Sequence, residues 1–141
     1  MTVKIVIAGA GDGQLLDRVA EGVFDNPIRP DMLTLFLEDP RHHLALAIEN
    51  GEVVGMASAN EYLHPDKDVQ AWINEVGVAP AFRARGIATR LLGAMIERLR
   101  SRGLASVWVA TEAGNDAARA LYRKVGAEET EGVVMCELDL N

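Results

Sequence analysis

Val76-Gly77-Val78-Ala79-Pro80-Ala81-Phe82-Arg83-Ala84-Arg85-Gly86-Ile87-Ala88-Thr89-Arg90-Leu91-Leu92 decides the fold. The stretch runs from an apolar segment, through a proline and a short basic turn, into residues with helical spacing. A strand that feeds a helix in this way leaves the helix's first N–H groups without acceptors, at the positive end of its dipole. Gly86 and Ala88 keep the approach to that backbone clear, and Arg83 and Arg85 add formal charge. The result is an anion cradle suited to a pyrophosphate. For Gly86 taken alone, an ordinary strand-to-helix turn is an equally good reading.

Downstream, Ile87, Leu91, Leu92, Met95, Ile96 and Leu99 trace one face of a helix expected over 85–102, with Gly103 as its stop. A strand over 107–110, a helix over 115–125 closed by Arg123-Lys124 and Gly126, and a last strand over 133–140 follow. Upstream, 71–78 reads as a buried strand and 61–68 as a polar loop. Asn50-Gly51 is a hairpin turn between strands over 43–48 and 53–57, because both residues tolerate positive φ. Pro30-Asp31 opens a short helix that ends before Pro40, and Leu15, Leu16, Val19 and Val23 suggest another ahead of it. Expected order is strand, two helices, three antiparallel strands, helix, strand, helix, strand. No repeat or linker interrupts it, so residues 1–141 read as one domain.

The formal net charge of −7 argues against nucleic-acid binding. Between Arg83 and Arg102 six arginines oppose Glu97 alone, a net of +5, so the remainder carries −12. An anionic ligand belongs at that segment and a cationic one elsewhere. No run is apolar enough to span a bilayer, and the opening residues read as a strand broken by Gly9. A single cysteine, Cys136, fits a reducing compartment, and a cytoplasmic location is expected. Its alternating run, Val134-Met135-Cys136-Glu137-Leu138, points to a small buried residue, not to a nucleophile. Without a spaced Cys/His set, no metal site is expected. Gly9-x-Gly11 has the outline of a dinucleotide fingerprint, but Gln14 stands where a third glycine or alanine is needed.

Arg83-x-x-Gly86-x-Ala88 resembles the Gln/Arg-x-x-Gly-x-Gly/Ala acyl-CoA motif of the GNAT superfamily of N-acetyltransferases. Val76-Gly77-Val78-Ala79-Pro80 is similar to that family's central strand, and Asn115 through Leu121-Tyr122-Arg123-Lys124-Val125-Gly126 resembles its second signature. The resemblance covers about residues 52–127. It implies an α+β fold, with a mixed, mostly antiparallel sheet splayed at its central strands and helices on both faces. The implied co-substrate is acetyl-CoA, with Val76 and Val78 on the pantetheine arm and Arg83, Arg85, Gly86, Ile87, Ala88 and Thr89 on the pyrophosphate. Asn115 and Tyr122 would line the thioester end. Glu52 through Pro65, with Arg83 through Thr89, is also similar to aminoglycoside 3-N-acetyltransferases. The resemblance allows a homodimer through the last strand.

The chemistry so implied is attack of an unprotonated amine on a thioester carbonyl. It needs positioning, an N–H for the developing oxyanion and a proton donor for the leaving sulfur. A backbone amide near Val76 suits the oxyanion. Tyr122, protonated at neutral pH, suits the donor. Glu75 interrupts an apolar strand and is the candidate base, against the plainer reading of a carboxylate reaching solvent or paired with an arginine. Asn74 and Trp72 are weaker acceptor-side candidates, His64 is a substrate-contact candidate, and His42 and His43 are expected as exposed loop residues. Carboxylates outside the basic segment, Asp25 among them, favour a cationic small-molecule amine as acceptor over a protein or peptide amine. A CoA-binding module without turnover is the alternative of a different class.

Overall fold

The computed structural model describes residues 2–141, which fall into two units, one running to Ala110 and the other Thr111–Asn141. The first unit is built on a five-stranded sheet of β1 (Lys4–Ala8), β2 (His42–Glu49), β3 (Glu52–His64), β4 (Lys67–Val78) and β5 (Ser106–Val109), ordered as numbered. The first four strands pair antiparallel; β5 runs parallel to β4. Two helices complete this unit, α1 (Pro30–Glu38) and α2 (Ile87–Ser101).

Alternation along β2 explains both faces of the sheet. Leu44 and Leu46 join Leu37 of α1, Val23, Val53 and Met56 in one core cluster. Ala45 and Ala47, fully buried and alternating with them in sequence, face the other way, toward α2. Gly55 opposes Ala47, and an ideal Cβ there would lie 3.1 Å from Leu91 Cδ1 and 3.3 Å from Ile87 Cγ2. Small residues on β2 and β3 thus let α2 settle onto the sheet through its Leu91, Leu92, Met95 and Leu99 face, each at most 1% exposed. Asn50 and Gly51 adopt the expected positive φ, 50° and 74°.

Several expectations need correction. Leu15 to Val23 is not a helix: one 3-10 turn, Gly13–Leu16, is followed by chain that pairs beside β3, where Val53 N–H donates to Arg18 O and Ala20 N–H to Val53 O. The sheet edge competes for those backbone groups and wins. Glu61 to Asp68 is not a loop either. β3 and β4 continue through it, pairing Tyr62 with Gln70 and His64 with Lys67 around a turn at Pro65-Asp66.

In the second unit, α3 (Asp116–Lys124) is capped by Asn115, whose Oδ1 accepts from Ala118 N–H at 3.0 Å. Arg119 and Arg123 of α3 both hold Glu129, with closest approaches of 2.7 and 2.8 Å. The strand expected over 133–140 does not form. Val133, Val134, Met135, Leu138 and Leu140 are 76–89% exposed, and Cys136 is exposed with them. Alternating apolar residues have no ladder partner there, and propensity alone does not make a strand.

Candidate functional site

β5 accompanies β4 only as far as the pair Ile73–Val109. Beyond Ile73, β4 keeps β3 on one side and, among the described residues, has no strand on the other. Ala79 N–H donates to Val54 O on the β3 side, so strand alternation turns the backbone groups of Val78 and Val76 toward the unpaired edge. This is the splay expected at the central strands. Part of the edge is taken: Arg83 Nε donates to Val78 O at 3.2 Å.

After β4, a 3-10 turn at Pro80–Phe82 leads to Ala84 at φ 62° and Gly86 at φ 75°, left-handed conformations that bend the chain into α2. At Gly86 glycine is needed for this φ and not for space, since an added Cβ would meet nothing within 4 Å. No side chain caps α2, and its first turn-closing bond is Arg90 N–H to Gly86 O. Ile87, Ala88 and Thr89 therefore present N–H groups with no acceptor among the described residues. Arg85 lies with its guanidinium 5.0 Å from the Phe82 ring centroid. Ile87 contributes only backbone, because its side chain is buried under the sheet. Three unpaired N–H groups, a helix dipole and two arginines beside an unpaired strand edge fit a diphosphate-bearing ligand with an amide-rich arm.

Glu75 opens onto a groove of about 340 Å³ between β3–β4 and the segment leading into α1, walled by Phe24, Met32, Leu33 and Phe36 and including Asp25. Glu75 as a whole keeps solvent exposure. Partial burial of its carboxyl, then the neighbouring Asp25 carboxyl, nevertheless raise its pKa above 4.5. Asp25 is held there by the backbone. Val23 O sits 2.3 Å from where a Cβ at Gly77 would be, so only glycine lets the 22–25 segment lie on β4. Nothing in the local sequence announces the Asp25–Glu75 pair, whose members stand fifty positions apart.

Other candidates are engaged elsewhere. Asn74 Nδ2 donates to Asn60 Oδ1 at 2.9 Å, and Trp72 stacks on Trp108 with centroids 5.6 Å apart. His64 pairs with Asp66. His43 is not an exposed loop residue. It is 2% exposed, its Nε2 lies 2.7 Å from Glu61 Oε2, and Arg102 Nε donates to the same oxygen at 2.7 Å. In the second unit, burial raises the pKa of the Tyr122 hydroxyl above 10. Asn115 is accounted for by its cap through Oδ1. Among the described residues no group of three or more His, Cys, Asp or Glu is arranged to hold a metal ion, and no helix is long and apolar enough to cross a membrane.

Residues 14–127 match the acetyltransferase (GNAT) family. An uncharacterized N-acetyltransferase of Bacillus subtilis, YycN, is 33% identical over 110 residues, 77% of this chain and 69% of that protein. The N-alpha-acetyltransferase RimI of Mycobacterium tuberculosis is 36% identical over 104 residues, 74% of this chain and 63% of that protein. Among solved structures, an aminoglycoside acetyltransferase from an uncultured soil metagenomic sample, in complex with sisomicin, superimposes with a TM-score of 0.82 at 19% identity, covering 99% of this chain and 97% of that one. At that identity the likeness establishes the fold alone, an open five-stranded mixed sheet with three helices. A family pattern that runs through both the β4–α2 turn and the α3 segment places this protein: it belongs to the GNAT family of N-acetyltransferases.

Proposed function

We propose that the protein transfers an acetyl group from acetyl-CoA to the primary amine of a cationic small molecule, with residues 1–141 acting as one acetyltransferase domain. The observation that carries this reading is the pair of sites along β4, an unpaired edge leading to the anion cradle and a carboxylate groove at Glu75. Acetyl-CoA, when bound, supplies a thioester whose carbonyl carbon is open to an amine. The N–H groups of Ile87, Ala88 and Thr89, with Gly86, Arg83 and Arg85, take its pyrophosphate, and the backbone of Val76 and Val78 takes its pantetheine arm.

Asp25 and Glu75 receive the acceptor as its ammonium, and Phe24 and Phe36 cover its apolar part. Glu75 removes the proton that must leave before nitrogen can attack. Its raised pKa brings its proton affinity closer to that task. The N–H of Val76, on the unpaired edge, serves the oxygen that gains charge. Tyr122 donates the proton to the departing sulfur, a role supported by a hydroxyl that burial keeps protonated at neutral pH. Asn115 keeps its Nδ2 for the thioester end, since its Oδ1 caps α3.

A peptide α-amine is the second reading, favoured by the 36% identity to an N-alpha-acetyltransferase. Calorimetric titration with acetyl-CoA, followed by thiol release against polyamines, aminoglycosides, amino acids and peptide N-termini, separates them. Saturable binding with release on a polycationic amine is the expected result. Release on peptides alone establishes the second reading, binding without release on any amine reduces the protein to a CoA-binding module, and no binding overturns the proposal.

A further inference from the structure

At the turn end of the β2–β3 hairpin, Glu49 stands directly opposite Glu52. Glu49 is 5% exposed, and neither of its carboxylate oxygens reaches solvent or a hydrogen-bond donor. A buried carboxylate is tolerated when something donates to it. A like charge straight across the ladder adds to the cost. The nearby basic residue is Arg18, whose Nη1 donates instead to Asn50 O at 3.2 Å, and among the described residues Glu49 forms no ion pair. These four residues and Phe82 line a cleft of about 210 Å³, which shares no residue with the groove at Glu75.

We propose that this cleft binds a small primary alkylammonium ion, with the N–H donors on the Glu49 carboxylate, the charge shared with Glu52, and the methylenes against Phe82. The lining carries one net negative charge, which selects a monocation. Its unsatisfied groups are acceptors, which selects a cation bearing N–H donors. A ring and few polar atoms select a short hydrocarbon body, and the volume holds several water-sized groups of about 30 Å³ each. Among the described residues, Glu49 and Glu52 belong to no group of three or more His, Cys, Asp or Glu arranged to hold a metal ion.

Amide chemical shifts of the full chain test this without acetyl-CoA, so the result is independent of the acyl-transfer reading. Titration with propylammonium chloride is compared with tetramethylammonium chloride and potassium chloride at matched ionic strength. The expected result is a saturable shift at Glu49, Asn50, Gly51 and Glu52 with propylammonium alone, weakened at least about tenfold in Glu49→Gln. Glu52→Gln, at a more accessible position, weakens it by a smaller factor and carries the test if Glu49→Gln does not fold. Equal shifts with all three salts, shifts confined to residues around Asp25 and Glu75, or unchanged affinity in both variants would each overturn the proposal. So would a hairpin that responds only after Arg18→Gln, because Arg18 would then be the occupant of the cleft.

Discussion

The body that ends at Ala110 and the segment from Thr111 onward contain equally apolar stretches that meet opposite fates. His43-Leu44-Ala45-Leu46-Ala47-Ile48 lies between two strands and under two layers of side chains, and Leu44 to Ala47 are at most 3% exposed. Val133-Val134-Met135-Cys136-Glu137-Leu138 alternates as well and is exposed throughout. In the body, van der Waals packing and ladder bonds hold the chain. In the second unit, order around α3 rests on a cap and on arginines that share Glu129. Secondary structure here is a property of partners more than of pattern.

The largest expected effect tests that contrast directly. Leu91→Ala, at a fully buried position, is expected to cost about 2–5 kcal/mol in urea unfolding. Met135→Ser, at an 83% exposed position, is expected to stay within about 0.5 kcal/mol. A large loss in Met135→Ser would break the comparison, because that residue would then be covered in solution.

The proposed chemistry assigns a role to each unit. Glu75→Gln in the body is expected to lower kcat/KM by about a hundredfold or more with unchanged acetyl-CoA affinity. Tyr122→Phe in the second unit is expected to lower kcat and likewise spare cofactor binding. Full activity in Tyr122→Phe would remove the second unit from the proton inventory and sharpen the body's claim to the chemistry.

A smaller effect is expected from Asp25→Asn. Burial is the larger cause of the raised Glu75 pKa and Asp25 the next, so the variant moves the acid limb of kcat/KM to lower pH without restoring the ordinary value. An unmoved limb would deny Asp25 any part in tuning Glu75. The smallest effect concerns Glu129, whose pKa Arg119 and Arg123 depress to about 2. A depressed carboxylate contributes above its unfolded value of 4.5, and that contribution is lost as pH falls from there toward about 2. Side-chain carbon titration is expected to find the Glu129 midpoint near 2, with body stability indifferent to Glu129→Gln. A midpoint near 4.5 would show that the arginines do not hold it.

How far the fold was legible follows the range of the forces involved. Asn50-Gly51, the Arg83 to Thr89 turn and the α2 face are set by residues a few positions apart, and the sequence pattern locates each of them. Leu15 to Val23 misleads because its helical spacing competes with the edge of β3. Glu61 to His64 looks like a loop because polarity masks a strand whose partner begins at Lys67. His43 looks exposed because its partners, Glu61 at Nε2 and Arg98 at Nδ1, lie far along the chain. In the candidate site the left-handed turn into α2 was legible and the groove beside Glu75 only half so. Glu75 stands out as a charge in an apolar strand, whereas Asp25 reaches it through a tertiary approach made possible by Gly77.

That approach is backbone against backbone: a main-chain carbonyl at Val23 rests on a residue with no side chain. The exposed side chains of Asp25, Asn26 and Pro27, outside the core cluster that Phe24 and Ile28 pack against, can therefore be exchanged without lifting the segment from its seat. If the groove takes the acceptor as proposed, acceptor preference becomes a removable lining on a fixed floor, and re-engineering can alter what the groove admits while β4 and the turn into α2 keep their geometry.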